Sequence, residues 1–153
     1  MIIRLLLLST VLLSCGDKTQ TNEQTQAVIP IVGTWRLLSG TTIEKGDTTV
    51  TDYTKDLSFI KIINDTHFAF LKHDLTKGKG PSAAYNSGGG SYTLTDSLYT
   101  EHLDYCTERE WEGNTFQFTL TLKNDTLIQQ GVEKVADAGI DRLNIERYVR
   151  LKK

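Results

Sequence analysis

Three histidines and one thiol in the main part of the chain could bind a metal or act as nucleophiles: His67, His73, His102 and Cys106. His102 and Cys106 are four residues apart on a predicted strand, which puts them on one face but ~13 Å apart, too far for one zinc ion. A metal site completed from neighbouring strands stays open as an alternative. No GxSxG, P-loop, dinucleotide-binding or HExxH pattern is present. We therefore predict no metal, no cofactor and no enzyme activity.

A group of aromatic and charged residues points instead to reversible binding of a small molecule. Tyr99, Glu101 and Tyr105 differ by even numbers, so they share one face of a predicted strand. Aromatic side chains with a few convergent charges are typical of a mostly apolar ligand pocket. A solvated outer face stays open as the alternative for this group. It applies most strongly to the two residues on the last strand, because the alternate face of that strand is more apolar. The predicted ligand-binding residues are His67, Phe70, Tyr92, Tyr99, Glu101, Tyr105, Tyr148 and Arg150.

The surroundings of Glu101 are the most restricted in this group, because burying an isolated charge inside a protein costs free energy. We predict that it points inward and that its carboxyl group has a polar partner. The candidates are His67, a tyrosine hydroxyl or Arg150 of the last strand. A less favoured alternative is an enzyme that uses Glu101 or His67 as acid or base.

Length and composition limit the kind of protein that can hold these residues in place. The 153 residues are about one domain's worth of chain, with 39% hydrophobic and 24% charged residues and only 2 prolines. The net charge of −2 provides no basic face for nucleic acid. Two cysteines are too few for a disulfide framework or a four-ligand zinc site.

The N-terminus has the features of an export signal. Arg4 precedes an apolar run over 5–13, which would span ~14 Å as a helix against ~30 Å of hydrocarbon. The next residues, Leu12-Leu13-Ser14-Cys15, resemble a bacterial lipobox, in which the cysteine receives diacylglycerol. An ordinary secreted protein with a chance cysteine is the alternative. We predict a signal peptide over 1–14, a flexible tether over 15–30 that begins with lipidated Cys15, and a folded domain over 31–153. The expected location is the bacterial cell envelope, anchored by lipid to the outer membrane.

The sequence pattern of the folded domain predicts β-strands. Short runs of alternating hydrophobicity are separated by turn residues, and no segment has a convincing amphipathic helical pattern. Gly88–Gly90 is interpreted as a flexible hairpin or a bulge where a strand begins. The pattern predicts an all-β protein, a single antiparallel up-and-down β-barrel of about eight to nine strands. The predicted strands are 31–44, 48–53, 57–63, 67–71, 91–95, 97–105, 115–122, 126–132 and 143–151, with a long loop over 76–90.

Gly33-Thr34-Trp35, at the head of the first strand, is similar to the GxW signature of lipocalins. Together with the stretches 61–70, 87–94, 99–101, 125–129 and 146–150, it resembles the lipocalin-like domain of small bacterial lipoproteins over roughly 31–151. The resemblance implies a calycin-type barrel whose closed end is plugged by Trp35, with an arginine of the last strand packed across it. The chain lacks the disulfides and the C-terminal helix of true lipocalins, so their ligand chemistry does not transfer.

These observations predict an envelope lipoprotein that binds a small apolar or amphipathic molecule inside its barrel. The alternative is a structural or interaction module with a side-chain-filled barrel and an envelope protein as partner. An open cavity distinguishes the first function from the second.

Overall fold

The computed structural model describes residues 29–81 and 83–152. Cys15, the predicted signal peptide over 1–14 and most of the predicted tether lie outside the described residues, so these assignments stay predictions. A single turn of 3₁₀ helix, Arg109–Trp111, lies between the sixth and the seventh strand. The strands, in chain order, are β1 Gly33–Glu44, β2 Asp47–Asp52, β3 Leu57–Ile63, β4 His67–Asp74, β5 Tyr85–Thr95, β6 Leu98–Cys106, β7 Thr115–Lys123, β8 Thr126–Val135 and β9 Ile140–Arg150.

The sheet closes on itself through β1. Residues Gly33–Arg36 of β1 pair with β3, and its residues from Trp35 to Ile43 pair with β9, both antiparallel. Among the described strands, β2 pairs with β1 alone. The remaining eight strands therefore form a closed antiparallel barrel to which β2 is added, and the predicted fold class is confirmed.

Trp35 fills one end of the barrel, called the base below. Its side chain has no exposed surface, and its Nε1 donates a hydrogen bond to the carbonyl oxygen of Ile31 at 2.7 Å. The guanidinium carbon of Arg150 lies 4.1 Å from the centroid of the Trp35 ring. Arg150 also donates hydrogen bonds to the carbonyl oxygens of Val32 and Pro30, at 2.8 and 2.6 Å. The last strand is thereby fastened to the segment that leads into the first.

Gly33 provides the space for this arrangement. Its φ of +146° is unfavourable for residues with a side chain, and a Cβ here would lie 2.6 Å from Nη1 of Arg150. A glycine at this position is therefore required both by the backbone and by the arginine that packs against it.

The largest departure from the predicted strands is β5. It begins at Tyr85, so Gly88–Gly90 lies within the strand and not in the long loop that was predicted. A Cβ at Gly88 would lie 2.5 Å from the Phe70 ring, and a Cβ at Gly90 would overlap the carbonyl oxygen of His102. Glycine is needed here because the neighbouring strands approach closely, which the sequence alone does not show.

A bulge in β6 lies opposite these glycines. In the pairing of β5 with β6, Asp104 is the extra residue, and an extra residue shifts the alternation of faces by one. Leu103 and Cys106 are consequently both buried, whereas Tyr105 is 71% exposed. The prediction that Tyr105 shares the inner face with Glu101 is wrong for this reason.

The half of the barrel next to the base is filled by side chains, and we call it the packed half. Its residues come from most strands of the ring, so the core is continuous around the barrel axis. The packed half contains Trp35, Leu37, Ile63, Phe68, Tyr99, Leu120 and Leu127.

In the part of the chain that the structure describes, there is no helix long and apolar enough to cross a membrane.

Candidate functional site

The other half of the barrel, toward the mouth, contains a cavity of about 400 Å³. Each of the nine strands contributes at least one residue to its lining. One part of the wall is aromatic, formed by Tyr53, Phe59, Phe70 and Tyr148. The other part is polar and contains Lys61, Glu101, Gln129, Glu133, Arg142 and Glu146.

Lys61 and Glu101 form a buried ion pair at the floor of the cavity. The Nζ of Lys61 donates hydrogen bonds to a carboxylate oxygen of Glu101 and, at 2.9 Å, to Oε1 of Gln129. The two side chains are only 4% and 9% exposed, so each charge needs the other. The prediction that Glu101 points inward with a polar partner is confirmed, but the partner is Lys61, and neither His67 nor Arg150.

Aromatic rings surround the ammonium group of Lys61. Its Nζ lies 5.1, 5.4 and 5.9 Å from the ring centroids of Phe68, Tyr99 and Tyr148. A cation over aromatic faces regains part of the free energy lost with its hydration shell. Phe68 and Tyr99 belong to the packed half, so the ion pair lies at the boundary between the packed half and the cavity.

A second ion pair joins β8 to β9. The Nη2 of Arg142 lies 2.7 Å from Oε2 of Glu133, and its Nε donates to the same oxygen at 2.8 Å. Asn144 donates to the other carboxylate oxygen of Glu133 at 2.7 Å. The guanidinium carbon of Arg142 also lies 5.5 Å from the ring centroid of Trp111. Trp111, which lines the cavity from the β6–β7 connection, is thereby held toward β9.

Glu146 is different, because no cation bonds to it within the described residues. The hydroxyl of Tyr148 donates to its Oε2 at 2.8 Å. Burial raises the pKa of Glu146 to about 7; the charge of Lys61 opposes this rise, and that of Glu133 adds to it. The carboxyl group is enclosed by protein yet accessible from the cavity that it lines. Near neutral pH this carboxyl group is therefore present in both its protonated and its ionised form.

The tyrosine hydroxyls and the thiol of the barrel interior are held in their neutral forms. Burial raises the pKa of Tyr53, Tyr99 and Tyr148, and the neighbouring carboxylates add to the effect. Burial also raises the pKa of the Cys106 thiol, which disfavours the reactive thiolate. Within the described residues, the buried hydroxyl of Tyr99 has no hydrogen-bond partner.

Five of the eight predicted ligand-binding residues face the interior. Phe70, Glu101 and Tyr148 line the cavity. Tyr99 lies beneath it in the packed half. Tyr92 packs against Tyr99, with the ring centroids 5.1 Å apart, and its hydroxyl donates to a backbone carbonyl oxygen.

The other three lie elsewhere. His67 is exposed at the start of β4, on the face opposite Phe68, and its Nδ1 is 2.8 Å from the hydroxyl of Thr66. Tyr105 is exposed on the outer wall as a result of the bulge. Arg150 packs on Trp35 at the base. The structure therefore does not bring these three residues to the cavity.

Sequence reasoning missed most of the polar lining, and β9 shows why. Arg142, Asn144 and Glu146 occupy alternate positions, and this period of two was the available signal. On sequence alone this polar face is a candidate for the outside, because Leu143 and Ile145 form the more apolar alternate face. In the structure the polar face is the inner one, so the outer-face alternative for this strand is wrong.

The histidines have local partners. The Nδ1 of His102 is 2.9 Å from the hydroxyl of Thr115, and the Nδ1 of His73 is 2.7 Å from the carbonyl oxygen of Asp74. Across residues 29–81 and 83–152, no group of three or more His, Cys, Asp or Glu side chains is arranged to hold a metal ion.

The fold and the site together define a closed antiparallel β-barrel with a part-aromatic, part-charged cavity, which is compatible with a calycin-like ligand-binding domain. No protein-family model matches the chain, and no curated protein gives a significant match to it. The functional conclusions that follow depend on the geometry of the chain itself.

Proposed function

We propose that this chain is a lipid-anchored protein of the bacterial cell envelope whose barrel reversibly binds a small amphipathic molecule. The observation that carries the binding proposal is the cavity of about 400 Å³, with its aromatic wall and its charged floor. Apolar walls bury the hydrophobic part of a ligand, and a few fixed polar groups orient it. A barrel of about eight strands is wide enough for one small ligand.

The aromatic wall is a single packed unit, which supports a preformed site. The ring of Phe59 lies 5.7 Å from that of Tyr53, 5.8 Å from that of Phe70 and 6.4 Å from that of Tyr148, measured between centroids. Side chains that are already held in place lose little conformational entropy when a ligand arrives. The floor is equally fixed, because Lys61 is bonded on two sides.

Membership of the lipocalin-like family is part of the proposal. It is supported by the position of Trp35 at the base and by the guanidinium of Arg150 packed across its ring. Both features are what the resemblance of the first strand to the lipocalin signature implies.

An interaction module is the second candidate, and the outer wall carries one observation in its favour. Ile62 pairs with Ala69, Ala69 with Gly89, and Gly89 with Tyr105, which forms an outward row across β3 to β6. Ile62 is 42% exposed and Tyr105 71% exposed. If the double substitution of Ile62 and Tyr105 by serine removes a partner that co-purifies with the wild-type protein, this candidate is favoured.

Native mass spectrometry of the full chain purified from its own host tests the binding proposal. We expect a small molecule to co-purify with the wild-type protein. Thr42→Trp adds bulk to the cavity lining and should abolish the adduct. Thr41→Trp is the matched control, because Thr41 lies on the outer face of the same strand. An adduct that survives Thr42→Trp, or its absence from the wild-type protein, contradicts binding in the cavity.

The anchor is tested separately. Cys15→Ala should prevent labelling by a fatty-acid analogue and release the domain from the membrane fraction, because the lipid chains supply the membrane affinity. Cys106→Ala is the matched control, since that thiol is buried in the barrel. Label retained on the Cys15→Ala protein would show that the lipoprotein proposal is wrong.

A further inference from the structure

We infer that the ligand of this cavity carries an ammonium head group that binds to Glu146, with its apolar part against the aromatic wall. This inference rests on the proposed function, since it specifies the chemistry of the molecule bound in the same cavity. It follows from the charges that line the cavity, from the contacts each of them already makes, and from the side chains around Glu146.

The charges are unequal in number. The lining contains three basic side chains and four acidic ones. Lys61 is paired with Glu101, and Arg142 is paired with Glu133. The acidic group left over in the interior is Glu146, whose contact within the described residues is the neutral hydroxyl of Tyr148.

The remaining two charges lie at the rim. Lys72 faces inward on β4 beside its strand partner Asn86, and Asn86 is hydrogen-bonded to Glu108. The positive charge of Lys72 and the negative charge of Glu108 cancel, so one excess negative charge remains in the interior, on Glu146. A ligand with one positive charge would neutralise the cavity.

The side chains around Glu146 suit such a group. Its partner on β1 is Gly40, which has no side chain, and the ring of Tyr53 lies in the space above Gly40, 3.3 Å from where a Cβ would be. Tyr53 begins the aromatic wall that continues through Phe59. Aromatic faces attract cations, and a carboxylate accepts charge-assisted hydrogen bonds from them. A carboxylate beside aromatic rings is therefore a receptor for an amine.

An anionic head group would meet the opposite conditions. Lys61, the deepest cation, already donates to Glu101 and Gln129, and an anion could reach it only by breaking that buried pair. Arg142 is likewise engaged by both the carboxylate of Glu133 and the ring of Trp111. Neither of these two interior cations is free to take a new partner without leaving its carboxylate unpaired. An anion at Lys72, the third cation of the lining, would lie beside Asn86 and its bonded carboxylate, Glu108.

The full chain should be titrated calorimetrically with three compounds that share one tail: octylammonium, octan-1-ol and octanoate. We expect octylammonium to bind the wild-type protein about tenfold more tightly than octanoate, with the alcohol between them. Glu146→Gln keeps the shape of the side chain and removes the charge, so it should abolish the preference for the ammonium head. Glu110→Gln is the matched control, because Glu110 is exposed and does not line the cavity.

The pH dependence separates binding at Glu146 from a merely structural effect. The titratable groups that face this carboxyl come from five parts of the barrel wall. They are Lys61 from β3, Glu101 and Tyr99 from β6, Glu133 from β8, Tyr148 from β9, and Tyr53, which directly follows β2. Because the pKa of Glu146 is about 7 and the amine stays charged, the affinity for octylammonium should rise between pH 6 and pH 8. In the Glu146→Gln variant it should stay flat.

Two results would overturn the inference while leaving the proposed function intact. One is octanoate binding as tightly as octylammonium, and the other is an ammonium preference that survives Glu146→Gln. If none of the three compounds binds, the inference also fails, and the co-purified adduct then decides separately whether the cavity holds a ligand of another class.

Discussion

Strand β3 contributes Ile63 to the packed half and, two residues earlier on the same face, Lys61 to the cavity. Strand β9 does the same: Tyr148 is buried where the cavity meets the packed half, and Glu146, two residues earlier, is a charged residue of the cavity lining. One set of strands therefore carries an apolar core at one end and charged groups at the other. The change from apolar to charged side chains occurs along the inner face of each strand, between residues that are two positions and about 7 Å apart.

The difference between the halves shows which one stabilises the fold. Apolar burial in the packed half is favourable, at roughly 25 cal/mol per Å². Buried ion pairs are weak stabilisers, because removing two charges from water costs about as much as their attraction returns. The charged residues of the cavity half therefore contribute little to folding, and they are better explained by what the cavity binds.

Trp35→Ala should produce the largest loss of stability. The side chain is completely buried at the base, and truncating a buried aromatic residue costs about 3–5 kcal/mol. Urea denaturation measures the change in the free energy of unfolding. A midpoint equal to that of the wild-type protein would mean that the base is not the source of stability, and the comparison between the halves would fail.

Lys61→Met should cost nearly as much, about 3 kcal/mol, because it leaves the carboxylate of Glu101 buried without a cation. The double variant Lys61→Met, Glu101→Leu should recover most of that loss, since both charges are then gone. Denaturation of the single and double variants under the same conditions checks this. A double variant as unstable as the single one would show that the ion pair itself stabilises the fold.

Glu146→Gln should stabilise the protein above neutral pH. The pKa of Glu146 is raised from its ordinary 4.5 to about 7, so the folded state holds the proton more tightly than the unfolded chain. That contribution is complete below pH 4.5 and is lost as the pH rises through 7. At ~1.36 kcal/mol per pKa unit, the variant should exceed the wild-type protein by about 3 kcal/mol at pH 8. The two proteins should be nearly equal at pH 4.5, and a constant difference at both pH values would contradict the assignment.

Tyr105→Ala should have the smallest effect, within about 0.5 kcal/mol, because the ring lies on the outer wall. Leu103→Ala is the comparison, since that side chain is buried on the other side of the bulge and should cost about 2–5 kcal/mol. Thermal melts of both variants are sufficient. Equal losses would mean that the bulge does not turn Tyr105 outward.

The sequence was sufficient for the barrel, because alternating hydrophobicity and turn residues are local signals. The inward position of Glu101 also followed from a general rule about buried charge. Its partner did not, since Lys61 is forty residues away and lies within an apolar stretch. The position of Tyr105 depended on a bulge that comes from strand register, which periodicity cannot detect. The alternation along β9 shows which residues share a face with Glu146. It does not show which face of the strand points into the cavity.

Strand β1 changes partner along one edge: Gly33–Arg36 bonds to β3, and Ser39–Glu44 bonds to β2. Among the described strands β2 has no second neighbour, so this part of the wall over the cavity is held by one short ladder and by the bond from the amide of Tyr53 to the carbonyl oxygen of Leu38. Local unfolding of β2 would cost far less than opening the ring. We expect the amide hydrogens of β2 to exchange with deuterium well before those of β9. A ligand could then pass beneath Thr51 while the eight-stranded ring stays closed.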